Sequence, residues 1–160
     1  MATKVKLSER KVIEFNNKPA VVAYAEAVGT TTENADQFFM SNPVGLVIDD
    51  ELYVRSPQRI EDDAMHFYCK VMEGMEMTLL ESSDIVEDTR QAVAEKLAAS
   101  NHISGIINFH CILRTLELEK NGTTQAYADI FADIPTIGFS TYGEEFIGHI
   151  NQTATMLVFE

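Results

Sequence analysis

The sequence predicts an α+β fold, a mostly antiparallel sheet with three or four helices packed on it. Three observations lead there. Short apolar runs come in pairs around turn residues, as hairpins do. Only a few segments carry a helical period. The regular strand–helix alternation that a doubly wound sheet requires is missing.

Taken in order, Lys11–Phe15 reads as a strand, with Val12 and Ile13 among polar neighbours. Asn16, Asn17, Lys18 and Pro19 form a turn, and the fixed φ of proline suits the first helical position behind it. Ala20–Val28, rich in alanine, is a helix ended by Gly29, which takes a left-handed cap without steric cost. A polar connection leads to a brief helical piece at Asn34–Met40 that turns Phe38 and Phe39 towards the core. Ser41-Asn42-Pro43 breaks the chain, and Val44–Ile48 and Leu52–Arg55 form a hairpin around the acidic turn Asp49-Asp50-Glu51. Met65–Val71 sets Met65, Phe67, Cys69 and Val71 against His66, Tyr68 and Lys70, the two-residue period of a strand with one face buried. Glu73-Gly74 then turns the chain into a return strand at Met75–Leu80.

Asp84–Ala99 is the clearest helix. Asp84 with Glu87 three residues on makes a capping-box-like start, and the acidic first turn suits the helix dipole. Ile85, Thr89, Val93 and Leu97 recur every four residues as one stripe. Ser100 and Asn101 end it, and a strand at Ser104–Cys111 follows. A polar, helix-compatible stretch runs to the break at Gly122, and Gln125–Phe131 is a short helix. Ile134–Glu144 reads as a strand running into a glycine turn, and Asn151–Phe159 is built like a closing strand. With no repeat, linker or low-complexity segment, residues 1–160 read as one domain.

Composition narrows the function. Twelve Lys and Arg stand against 25 Asp and Glu, a net charge of −13. That field repels phosphate backbones and anionic lipid surfaces, so neither nucleic acid nor membrane is an expected partner. No apolar run is long enough to span a bilayer, and the N-terminus lacks the basic-then-apolar build of a secretory signal. Cys69 and Cys111 lie far apart, outside any Cys-x-x-Cys pattern, which fits a reducing, cytoplasmic setting better than a disulfide framework or a metal site. No phosphate loop, dinucleotide fingerprint, His-x-x-x-His or Gly-x-Ser-x-Gly is present, so no cofactor is expected.

Several polar groups stand at or near predicted strand ends. They are Cys111 followed by Arg114, Pro135 with Gly138-Phe139, the triplet Tyr142-Gly143-Glu144, and Asn151-Gln152-Thr153. Upstream are Asn42-Pro43-Val44-Gly45 with Tyr53-Val54-Arg55, and Val12-Ile13-Glu14-Phe15 leading into Lys18-Pro19-Ala20. In this order, over nearly the whole chain, they resemble the C-terminal domain of FIST proteins. The resemblance implies a non-catalytic sensory domain of a signal-transduction protein, with small molecules such as amino acids as ligands. It also implies a larger FIST N-terminal domain ahead of this one, or another signalling partner, and F-box-linked relatives imply a protein-interaction module as the alternative.

Each candidate site residue carries two readings. Arg114, just past its strand, has the planar fork that grips a carboxylate, or it pairs with one of the many acids. Arg55 has the same two readings. Glu144 and Tyr142 can present a carboxylate and a phenol to an amine, or the triplet is simply a glycine turn whose acid caps a backbone N–H. Glu145 is adjacent, which alone is weak support for acid–base work. Cys111 is a site residue or a small buried hydrophobe. A third reading, a hydrolase or transferase with Cys111 as nucleophile, would need a thiolate-stabilising neighbour, and His110 points to the opposite strand face. Asn108 and His110 share one face of an apolar strand, where they line a cavity or lie half exposed, and Asn151 and Thr153 are candidates for the same space. Met72, Met75 and Met77 are core or a soft interface. The expected arrangement is a polar hollow with Arg114 (or Arg55) on a carboxylate and Glu144 with Tyr142 on an amine.

Overall fold

The computed structural model describes residues 1–100 and 102–160. Mixed helix and mostly antiparallel strand make it the α+β fold that the sequence predicts. The chain folds as two compact units, Met1–Ser82 and Ser83–Glu160. The sequence does not announce this division, because no linker-like composition marks residues 82 and 83.

The first unit begins with β1 (Ala2–Lys6), which the sequence reading did not include, and β2 (Lys11–Phe15). After the short β3 (Lys18–Pro19) comes α1 (Ala20–Val28), closed by Gly29 at φ 75° as expected. Pro19 sits one residue outside the helix, as its cap. A 3-10 helix at Thr32–Phe38 replaces the predicted Asn34–Met40 piece, and Phe39 is buried after it. β4 (Val44–Ile48) and β5 (Glu51–Arg55) form the expected hairpin, with Asp49 and Asp50 both at positive φ. β6 (Pro57–Glu61), also unforeseen, pairs with β7 (Ala64–Phe67).

Two strand expectations need correction. The Met65–Val71 strand stops at Phe67, and its return at Met75–Leu80 is only β8 (Thr78–Leu79), paired with β4 and not with β7. Met65, Phe67, Cys69 and Val71 are buried as the alternation predicts, but His66 is buried too. It is held by Glu61 at 2.5 Å and by the Glu9 carbonyl. One sheet runs β1-β2-β7-β6, a second runs β5-β4-β8, and α1 adds Val21, Tyr24 and Ala25 to a core with Val12, Phe15, Met65 and Phe67.

The second unit opens with α2 (Ile85–Ala99). Asp84 caps it, accepting from the N–H groups of Val86 and Glu87, and Ile85, Thr89 and Val93 are buried while Leu97 is not. Asn101, read as part of the helix end, lies outside the described residues. Then come β9 (Gly105–Cys111), α3 (Ile112–Asn121), α4 (Thr124–Asp129) and β10 (Thr136–Thr141). The two helices between β9 and β10 make a crossover, so β10 lies parallel to β9, the one parallel pair of the described sheets. β11 (Glu144–Phe146) and β12 (Gly148–Ile150) form a small hairpin, and β13 (Ala154–Phe159) returns antiparallel to β9.

β9 is thus the central strand of a three-stranded sheet. Its Ile106, Asn108 and His110 face the helices, where Ile106 packs with Val93, Ile103, Phe131 and Ile134. Ile107, Phe109 and Cys111 point the other way.

The Asp84 cap satisfies two of the four N–H groups that a helix start leaves without partners. Replacing Asp84 by Ala is expected to cost about 0.5–2 kcal/mol in urea unfolding, with an unchanged slope of free energy against denaturant.

Candidate functional site

The site grows from the C-terminal end of β9 and the first turn of α3. That turn places Arg114 four residues after His110, so its side chain reaches back over the strand end. Arg114 Nε donates to His110 Nε2 at 3.2 Å, and a second guanidinium nitrogen donates to Thr89 Oγ1 on α2 at 3.0 Å. Both acceptors are neutral, and among the described residues Arg114 has no ion pair. The expectation that it pairs with a neighbouring acid is not what the structure shows.

An arginine can only donate, so His110 Nε2 must accept, and its proton sits on Nδ1. Burial pushes the His110 pKa down to about 4, and the adjacent Arg114 charge pushes the same way. The imidazole is therefore neutral at pH 7. Nδ1–H then faces Thr115 Oγ1 at 3.2 Å, and Thr115 lies 2.8 Å from Ser140 Oγ on β10.

Two hollows flank this chain on the helix-covered face. The first, about 340 Å³, lies between α2 and the sheet. Arg114, Asp88 and Lys96 are its charged groups, over an apolar floor of Val93, Ile106, Met156 and Val158. Lys96 is already paired with Glu160 at 2.6 Å, which leaves Arg114 as the unneutralised cation. The second, about 460 Å³, is an open groove between β10 and helices α3 and α4 that contains Asn108 and His110. The slight preference for a cavity beside these two residues matches this placement.

The other expected ligand residues lie elsewhere. Glu144 is buried with the Cys111 thiol beside it and accepts from the hydroxyls of Thr141 and Thr153, the latter at 3.2 Å. Tyr142 is 88% exposed. Neither lines the Arg114 hollow, so the expected convergence of Arg114, Tyr142 and Glu144 on one space is not found. The reason is strand alternation: Arg114 reaches back to His110 on one face of β9, whereas Glu144 meets Cys111 on the other. Asn151 is fully buried with its amide 3.2 Å from His149, away from the Asn108 groove. Arg55 belongs to the first unit, where its charge partly offsets the burial that holds the Cys69 thiol up at about 11.

Sequence reasoning missed Thr89, Asp88, Thr115, Tyr127 and Ser140. The four-residue spacing of His110 and Arg114 across a strand-to-helix junction is the signal that points to their contact.

The family model of the FIST C domain matches residues 20–146, which takes in most of both units. The chain belongs to the FIST C domain family. That family is one of signal-transduction domains. No curated protein and no solved structure matches the chain. Among the described residues of this FIST C domain, no helix is long and apolar enough to cross a membrane.

The low pKa of His110 has a consequence for acid stability. A folded-state value near 4, below the ordinary 6.5, means that the unfolded chain takes up the proton first. Stability is then complete above about pH 6.5 and falls as the pH drops towards 4. Urea midpoints are expected to decline over that window, and His110→Gln is expected to flatten the decline. Equal slopes in the two proteins would show that His110 is not buried as described.

Proposed function

We propose that this FIST C domain is a non-catalytic, cytoplasmic sensory module that binds a small molecule, with free amino acids as the ligand class. The observation that carries the reading is Arg114, a guanidinium held by two neutral acceptors at the wall of an apolar hollow. In a chain with 25 carboxylate side chains, an arginine left without one is suited to take a carboxylate from outside. The ammonium of an amino acid would then lie towards Asp88, and its side chain over Val93, Met156 and Val158. This keeps Arg114 in the role that the sequence suggests and moves the amine contact from Glu144 and Tyr142 to Asp88.

Isothermal titration against the common amino acids tests this. Saturable heat is expected for at least one. Arg114→Met is expected to weaken it by roughly ten- to a hundred-fold, since a hydrogen bond to a charged group is worth about 1.5–3 kcal/mol. Flat heats throughout at millimolar ligand would overturn the reading in favour of the second one, a protein-interaction module. The observation favouring that alternative is the outward face of the β10-β9-β13 sheet, where Ile137 is 72% and Phe139 62% exposed beside Leu157 and Phe159. Met72 is exposed as well, but Met75 and Met77 pack on the first unit's core and leave no continuous methionine surface there.

The non-catalytic reading draws on Cys111. Burial pushes its thiol pKa up, and the Glu144 carboxylate beside it opposes the thiolate further. Iodoacetamide at neutral pH is expected to alkylate Cys111 far more slowly than a free cysteine. Alkylation as fast as the free amino acid would reopen the enzyme reading.

A further inference from the structure

We infer that the groove between β10 and helices α3 and α4 is a second binding site, separate from the Arg114 hollow, for a neutral, flat amide-bearing ligand. Among the described residues, none of those lining the groove is Asp, Glu, Lys or Arg, in a chain of which 23% is charged. His110 is its one titratable imidazole, and it is buried and neutral at pH 7. A charged ligand would lose its hydration here and gain no counter-charge. A neutral one meets aromatic and aliphatic walls: Tyr127 stands against His110 with ring centres 5.0 Å apart and against Phe131 at 5.5 Å, with Leu118 and Ile134 completing the apolar side.

The polar atoms of the groove carry a definite pattern. Asn108, only 7% exposed, donates its amide N–H to the Tyr127 hydroxyl at 3.1 Å, and its carboxamide oxygen has no partner. Turning the carboxamide over merely exchanges which end is orphaned, so an unpaired polar group belongs to the site in either orientation. A buried orphan of this kind costs about 1–3 kcal/mol. A modest rotation about the soft terminal torsion of Asn108 brings it to a ligand in the groove. Its register partner on β10 is Gly138, which brings no side chain beside Asn108; a Cβ there would lie 2.1 Å from the Asn108 backbone carbonyl oxygen.

Tyr127, having accepted from Asn108, keeps its own proton to give. Thr115 accepts from His110 and shares a hydrogen bond of 2.8 Å with Ser140, in which either hydroxyl can donate, so Ser140 stands at the groove wall as a hydroxyl able to give or take. The groove therefore offers one acceptor at Asn108, one hydroxyl donor at Tyr127 and the adaptable Ser140 hydroxyl around an aromatic slot. A primary carboxamide on an aromatic ring answers each: its N–H groups to Asn108, its carbonyl to Tyr127 or Ser140, its ring against Tyr127 and Phe131.

The test is an NMR titration of the full 160-residue chain with benzamide and with benzoate, its charged isostere. Benzamide is expected to give saturable shifts at Asn108, Tyr127 and Ser140, with benzoate at least ten-fold weaker. Asn108→Leu is expected to cost at least ten-fold in benzamide affinity. Ser140→Ala, at an exposed position that folding tolerates, is expected to weaken it several-fold, which keeps the test decisive if the Asn108 variant misfolds. Absent saturation, equal binding of benzoate, or affinity unmoved in Ser140→Ala and in any folded Asn108 variant would each overturn the proposal. None of these outcomes bears on amino-acid binding at Arg114, which is read by a different ligand and a different variant.

Discussion

The hydrogen bond from Arg114 to His110 sets the chemistry of the second unit. A guanidinium has no lone pair to offer, so the imidazole has to meet it as an acceptor, and an acceptor at Nε2 is a neutral ring with its proton on Nδ1. Burial of His110 and the nearby positive charge act in the same direction. That constraint turns Nδ1–H towards Thr115 Oγ1, which in turn lies against Ser140, and it gives Arg114 a neutral acceptor in place of an acid. Thr89 on α2 fixes the far end of the same guanidinium, which ties the helix to the strand end through one side chain.

The other face of β9 solves a different problem with the same economy. Glu144 is a buried carboxylate with no ion pair among the described residues, and it is satisfied by hydroxyls of Thr141 and Thr153 and by the Cys111 thiol. The Tyr142-Gly143-Glu144 corner exists to deliver that acid inward. Gly143, at φ 155°, passes under the His149 ring, where a Cβ would come within 2.4 Å of the imidazole. Any side chain there would displace His149, and with it the contact between His149 and the buried Asn151. Packing thus accounts for Gly143 and for the inward setting of Glu144, while Tyr142 stands exposed beside them.

What the sequence revealed, it revealed where local rules act alone. The Ala-rich α1 with Gly29, the Asp84-capped α2 and the β4–β5 hairpin rest on cap and turn chemistry within a few residues, and all three stand where they were expected. β1 and β6 were not legible, because Ala2–Lys6 and Pro57–Glu61 are short polar strands held by pairing with β2 and β7 across the sequence. The parallel setting of β10 was hidden for the same reason. Nothing in Thr136–Thr141 states that two intervening helices will return it alongside β9, although Gly138 is the residue that this close pairing demands. Of the site, Arg114 was legible as a cation at a strand mouth. Its partners were not, because Thr89 and His110 meet it only after α2 and β9 have packed.

The acidity of the chain bears on which ligand the Arg114 hollow suits. A net charge of −13 surrounds the Arg114 guanidinium with a repulsive field that any anion must cross. At physiological salt that field decays over about 8 Å, so it acts on approach, whereas the contact with a partly buried arginine is screened far less. A simple carboxylate meets repulsion first and attraction late. On the proposed reading a zwitterion has no net charge to repel, and its two ends would meet opposite partners at Arg114 and Asp88, which both line the hollow. Dicarboxylates keep a net negative charge and suffer on both counts. On the proposed reading, the surplus of acid favours neutral amino acids over acidic ones, with Arg114 supplying the grip and the surrounding field the discrimination.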